Sequence, residues 1–173
     1  MKKLLVLILF LFLGQSRHAG AEEVATEFFK ITGATRCPVC GMFVEKHQQW
    51  LTQVRMSDDT MVAFDGVKDM AAYALVPQDF GAAKGTLVKD VAVKDYYTLA
   101  WTDGRRAFYV LGGDVLGPMG HELIPFASLH GAENFFKDHH GTRILSYAEI
   151  DPALIESLRK GHKMKGQGTA GMQ

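Results

Sequence analysis

The chain holds two cysteines in 173 residues, and both fall in Cys37-Pro38-Val39-Cys40-Gly41-Met42. Two thiols separated by two residues face a single point when the backbone turns between them. Pro38 favours such a turn by fixing its φ, and Gly41 frees the backbone after Cys40. Met42 adds a thioether two positions after the second thiol. Thiolates and thioethers are soft donors, the combination that selects Cu(I) over harder ions. A CxxC alone also serves dithiol redox pairs and zinc half-sites. The adjacent methionine adds nothing to either of those, so CPVCGM points more narrowly to copper.

Two other chemistries stay open for the same pair. A disulfide across CxxC closes a loop too small to stabilise a fold much, because the entropic gain grows with loop length. A thioredoxin-like dithiol needs a strand before the motif and a helix starting at it. Thr35-Arg36 follows no clear strand, and Phe43-Val44-Glu45 lacks helical amphipathicity, although Arg36 and Lys46 are near enough in sequence to favour a thiolate.

Further candidate donors lie elsewhere. Met119 sits between Pro118 and Gly120 in a loop carrying Gly112, Gly113, Gly117 and Gly120, which frees the backbone to approach another segment. Its thioether is a candidate partner for Cys40. His121 is a candidate extra ligand, a proton-linked release switch, or a plain surface histidine. Met56, Met61 and Met70 fall at core positions of a strand or helix. His139-His140 closes a helix, where imidazolium complements the dipole. Asp58-Asp59 sits in a turn and reads as solubility. No nucleophile elbow appears, and no glycine-rich loop has P-loop spacing.

The elements that must position these residues follow from periodicity. Trp50–Met56 and Met61–Phe64 read as a hairpin across Ser57–Thr60. Val67, Met70, Ala71 and Ala74 have helical spacing up to Pro77, giving a β-β-α unit. Leu87–Val93 and Tyr96–Trp101 read as strands, and Asp103-Gly104 predicts a hairpin from the latter into Ala107–Leu111. Glu122–Phe126 is a short edge strand because Pro125 could not sit in a central one. Ser128 caps a helix to about His139, with Gly141 ending it. Arg143–Ala148 is a strand, and Asp151-Pro152 opens a final helix that Gly161 closes. Met61–Phe64 and Leu123–Phe126 each lead into a helix, a faint internal echo. The expectation is an α+β fold of two small ββα-type modules with antiparallel sheets, at about 33–77 and 87–148 within a domain of residues 22–160. A flexible tail follows at 161–173, and its His162, Met164 and Met172 read as solvated linker.

The N-terminus shows Lys2-Lys3, an apolar run Leu4–Leu13, and Ala19-Gly20-Ala21, the layout of an export signal over residues 1–21. Ten apolar residues are too few to span a bilayer, which needs roughly 20. Removing Lys2, Lys3 and Arg17 with that signal leaves 16 basic against 19 acidic side chains. That balance argues against nucleic acid as partner. The remaining chain of about 150 residues suits one domain with a normal core. Localisation is expected in the periplasm, without a lipid-accepting cysteine near the cleavage point.

The order CxxCGM, Trp50 and its strand, Phe64-Asp65-Gly66, Gly117-Pro118-Met119-Gly120 and Glu122–Phe126 resembles the NosL family over roughly residues 33–150. NosL is an accessory protein of nitrous oxide reductase. The resemblance implies a NosL/MerB-like pair of ββα modules and a copper chaperone, not an enzyme. Its cargo would be Cu(I), and its recipient the copper–sulfide catalytic centre of nitrous oxide reductase or the transporter that assembles that site. A membrane-associated partner and a monomer or weak dimer fit the same picture. The implied metal set is Cys40, Met42 and Met119, with Cys37 and His121 as further donors. Two departures stand out: NosL proteins are usually lipoproteins, and the family element is CGM with one essential cysteine. The alternatives are a periplasmic thiol-disulfide oxidoreductase and a structural or sensory module with an inert disulfide.

Overall fold

The computed structural model describes residues 30–167, and side chains through Lys160. The expected export signal, the following residues up to 29 and residues 168–173 of the tail lie outside the described residues. Seven strands and three α-helices are found among the described residues. β1 (Thr52–Met56) and β2 (Met61–Phe64) form the expected hairpin, with Thr52 opposite Phe64 and Arg55 opposite Met61. α1 (Val67–Leu75) follows, and Pro77 opens a short 3₁₀ turn to Phe80. β3 (Val88–Lys94) pairs with the other side of β1, and β4 (Trp101–Asp103) pairs with β3. The first sheet therefore has the order β2-β1-β3-β4.

β5 (Phe108–Leu111) is the centre of a second antiparallel sheet, between β6 (Leu123–Phe126) and β7 (Arg143–Ser146). α2 (Leu129–Asp138) connects β6 to β7, and α3 (Pro152–Gln167) completes the chain. In both sheets the first strand is central, flanked by its hairpin partner and by the strand that follows the helix. The architecture is α+β with two ββα units, as expected. Pro125 sits on edge strand β6, where its missing N–H costs no ladder bond. Ser128 Oγ accepts from Gly131 N at 3.1 Å, and Asp151 Oδ1 accepts from Leu154 N at 2.8 Å, so both expected caps form.

Several boundaries need correction. β3 and β4 belong to the first sheet, not to a second module beginning at residue 87. Asp103-Gly104 does not make a hairpin between β4 and β5; it is the crossover from one sheet to the other. Its turn is closed by Ala107 N to Asp103 O, and Gly104 N reaches back to Val91 O at 2.8 Å. Val91 Cγ1 would also collide with any Cβ at Gly104, so β3 sits against this turn and draws it away from a hairpin. Tyr96–Ala100 is a turn rather than a strand. Buried Asp95 accepts Tyr97 N, Thr98 N and Ala127 N there, tying the end of β3 to the start of α2. Trp50 ends a 3₁₀ segment, Val44–Trp50, instead of opening β1. α3 runs past Gly161.

The second sheet is covered on both faces, and β5 shows why its residues alternate. Tyr109 and Leu111 join Leu123 and Leu145 in the main core with Val54, Met56, Phe64, Val67, Met70, Val91, Val93 and Ile155. Phe108 and Val110 face the other way, onto Ile124, Phe126, Ala132 and Phe135 beneath α2. α1 is buried within the main core and touches β1, β2, β6 and α3. Its N-terminus is thereby fixed where the two units meet. No described helix is long and apolar enough to cross a membrane.

Candidate metal centre

The CPVCGM segment folds as a tight loop. Cys37 N donates to Met42 O and Gly41 N to Cys37 O, both at 2.9 Å, and Arg36 bridges Phe43 across its base. Gly41 takes φ +79°, a conformation that side chains with a Cβ rarely adopt. The Arg36 guanidinium lies 3.7 Å from the Phe43 ring centroid and donates to Gly41 O at 2.7 Å. No α-helix starts at the motif; the short 3₁₀ segment begins after it, at Val44. The cysteines instead face the start of α1, on another segment.

That helix start brings two acids to the thiols. Asp65 precedes Gly66, and Asp69 lies one turn on, so both project from the same side. Cys40 Sγ donates to Asp65 Oδ1 at 3.2 Å, and Cys37 Sγ to Asp69 Oδ2 at 3.5 Å. One ligand atom from each of these four residues lies within 4.8 Å of all the others. Both cysteines carry free thiols. Cys37, Asp65 and Asp69 are buried, while Cys40 is half-buried and gives the site its opening.

Four groups that can each become anionic crowd this space. The Cys37 thiol is pushed far up by its hydrogen bond with Cys40, by burial and by the Asp69 charge. Burial likewise raises Asp69, against the lowering effect of the thiol hydrogen bonds. Asp65 Oδ2 is buried without a hydrogen-bond partner. A cation would satisfy that oxygen and stabilise the deprotonated forms of the other three groups. The donor set, two sulfurs and two carboxylates, fits a metal ion; the thiols suit soft ions and the carboxylates harder ones.

The cluster joins Cys37 and Cys40 with Asp65 and Asp69, two acids that nothing in the sequence singles out as ligands. Their signal was Asp-Gly-x-x-Asp at a helix start, indistinguishable from residues that favour the helix dipole. With the two thiols, the two acids complete a four-donor set. Met42 is half-buried, with its main-chain oxygen closing the loop onto Cys37. Met119 is half-buried at the tip of a turn in which Gly117 N and Gly120 N bond each other's carbonyls, at 2.8 and 3.1 Å. His121 is exposed and lies outside the four-residue cluster. The main-chain oxygens of Met119 and His121 accept from Lys68 Nζ in the first turn of α1, next to Asp69. The Met119 loop thus reaches the same helix end that faces the cysteines.

A family model described as NosL matches residues 28–155. The chain belongs to the NosL family. Among solved structures, the copper chaperone NosL from Shewanella denitrificans has the same fold, with a TM-score of 0.59 at 22% identity. That match covers 72% of this NosL chain and 96% of the other. The apo-NosL protein from Achromobacter cycloclastes is 26% identical, over 60% of this chain and 87% of its own, with a TM-score of 0.46. No curated protein matches.

Proposed function

We propose that this NosL protein is an exported metallochaperone that carries one Cu(I) in the periplasm. Its recipient would be the copper–sulfide centre of nitrous oxide reductase, directly or through the transporter that assembles it. The observation that carries this is the convergence of Cys37 and Cys40 with two buried acids at the start of α1, on a chain of this family. Cys40, Met42 and Met119 would hold the ion, with Cys37 as fourth sulfur donor and His121 as a further ligand near the opening.

The chemistry of loading follows from the hydrogen bonds. Copper binds thiolates, so loading displaces protons. Asp65 and Asp69 accept the thiol hydrogen bonds and are the nearest proton acceptors. A deep Cys37 and a half-exposed Cys40 give the ion one anchored and one accessible sulfur. An incoming donor can attack on the Cys40 side and draw copper away by exchange. No bond in a substrate is made or broken, so the protein acts as a carrier and not as an enzyme.

The oxidoreductase alternative needs a thiolate stabilised by a cation or a helix terminus. Here both thiols hydrogen-bond carboxylates at the start of α1, and the hydrogen bond with Cys40, burial and the Asp69 charge drive the Cys37 thiol the opposite way. The deciding experiment incubates the copper-loaded protein with nitrous oxide reductase lacking its catalytic centre, with and without the assembly transporter. Copper transfer and recovered activity in either arm support the chaperone function. Retained copper in both arms, or rapid reduction of insulin by the dithiol form, would overturn it.

A further inference from the structure

Lys68 and Glu122 are both buried, at 2% and 4% exposure, in a position usually closed to charged side chains. They face each other's segments across α1. The Lys68 ammonium donates to Met119 O at 2.8 Å and to His121 O at 2.9 Å. In return, Glu122 Oε1 accepts Lys68 N at 2.6 Å and Leu123 N at 2.9 Å. Gly66, at the helix start, offers no side-chain cap, so an acid 54 positions away serves one of the free N–H groups there. The fit leaves no spare room: a Cβ at Gly66 would collide with Glu122 Oε2, and one at Gly117 would stand 3.0 Å from Glu122 Cβ.

Three of these bonds join the same two segments, all donated by Lys68: its ammonium to two loop carbonyls and its backbone N–H to the Glu122 carboxylate. One segment is the start of α1, where Asp65 and Asp69 stand beside the thiols. The other is the closed Gly117–Gly120 turn with Met119 at its tip. An ordinary helix cap needs only Glu122. The second half, a buried ammonium spent on two loop carbonyls flanking Gly120, has no role in capping. It fixes the loop.

We propose that Lys68 and Glu122 are positioning residues: together they latch the Met119 turn against the end of α1 that holds the metal-facing acids. The latch rests on the proposal that Met119 is a copper ligand. It makes the thioether part of a preformed site instead of a donor on a wandering glycine-rich loop, and preorganisation of this kind raises affinity by lowering the ordering cost of binding.

The test is a double-mutant cycle on the full reduced protein, reading Cu(I) affinity by competition with a Cu(I) chelator. Lys68→Met removes the ammonium and keeps the stem. It should weaken Cu(I) binding about tenfold, the scale of losing one or two hydrogen bonds to a charged donor. In a Met119→Ala background the same change should have little further effect, because the loop then carries no donor to position. Glu122→Leu supplies an independent second variant should Lys68→Met fold poorly, and Glu122→Gln, which keeps an accepting oxygen, should restore affinity. In methyl spectra of the folded protein, the Met119 signal should shift on Cu(I) addition in the parent and fail to shift in Lys68→Met. Additive losses in the cycle, or undiminished affinity of Lys68→Met, would overturn the latch while leaving Met119 as a ligand. Undiminished affinity of Met119→Ala would overturn the ligand assignment and the latch with it.

Discussion

Glu122 makes a specific prediction about stability against pH. Its carboxyl is completely enclosed, and burial raises its pKa from 4.5 to about 8, despite lowering contributions from Lys68 and the two backbone N–H groups it accepts. An acid with a raised folded pKa binds its proton more tightly when folded. The stability it contributes is therefore complete below about pH 4.5 and lost as pH rises through about 8. At about 1.4 kcal/mol per pKa unit, the swing is on the order of 5 kcal/mol as an upper bound. Glu122→Gln keeps an oxygen that can accept Lys68 N and Leu123 N but cannot ionise. Urea unfolding of the reduced, metal-free protein at pH 5 and pH 8.5 measures the effect. The parent should lose several kcal/mol between the two, and the variant much less, becoming the more stable protein at the higher pH. Equal losses in parent and variant would refute burial of Glu122 as an acid.

Further perturbations separate fold from site. Met70→Ala, at a fully buried position of α1, should cost about 2–5 kcal/mol in chemical denaturation and leave chelator-measured Cu(I) affinity near that of the parent. Tyr109 is buried, and its hydroxyl donates to Gly104 O at 2.5 Å at the crossover between sheets; Tyr109→Phe should cost about 1–2 kcal/mol in the same assay. Gly41→Ala meets no steric clash but must hold φ +79°, so it should destabilise by about 1–2 kcal/mol through strain alone, seen as a lowered melting temperature of the metal-free protein.

What the sequence shows well here is local. The β1–β2 hairpin, the span of α1, the Ser128 and Asp151 caps and the edge position of Pro125 each depend on a few neighbouring residues. The sheet switch at Asp103-Gly104 was hidden because the same dipeptide suits a hairpin and a crossover. What decides between them is β3 lying against the turn, about a dozen positions back. The candidate metal centre divides in the same way. Cys37 and Cys40 announce themselves by spacing, whereas Asp65 and Asp69 look like ordinary helix-start acids until tertiary packing lays the cysteine loop over them. Glu122 gave even less warning: an acid between a glycine-rich loop and an apolar strand looks solvent-facing, yet it is enclosed because α1 lacks a cap of its own.

Copper binding by the thiol loop is the claim on which the rest depends. Titration of the reduced protein against a Cu(I)-specific chelator, beside Cys40→Ser and Met42→Ala, tests it most directly. One tightly held equivalent of Cu(I) is expected in the parent, with a clear loss of Cu(I) affinity in both variants. Undiminished binding after both substitutions would contradict it and remove the site from this motif.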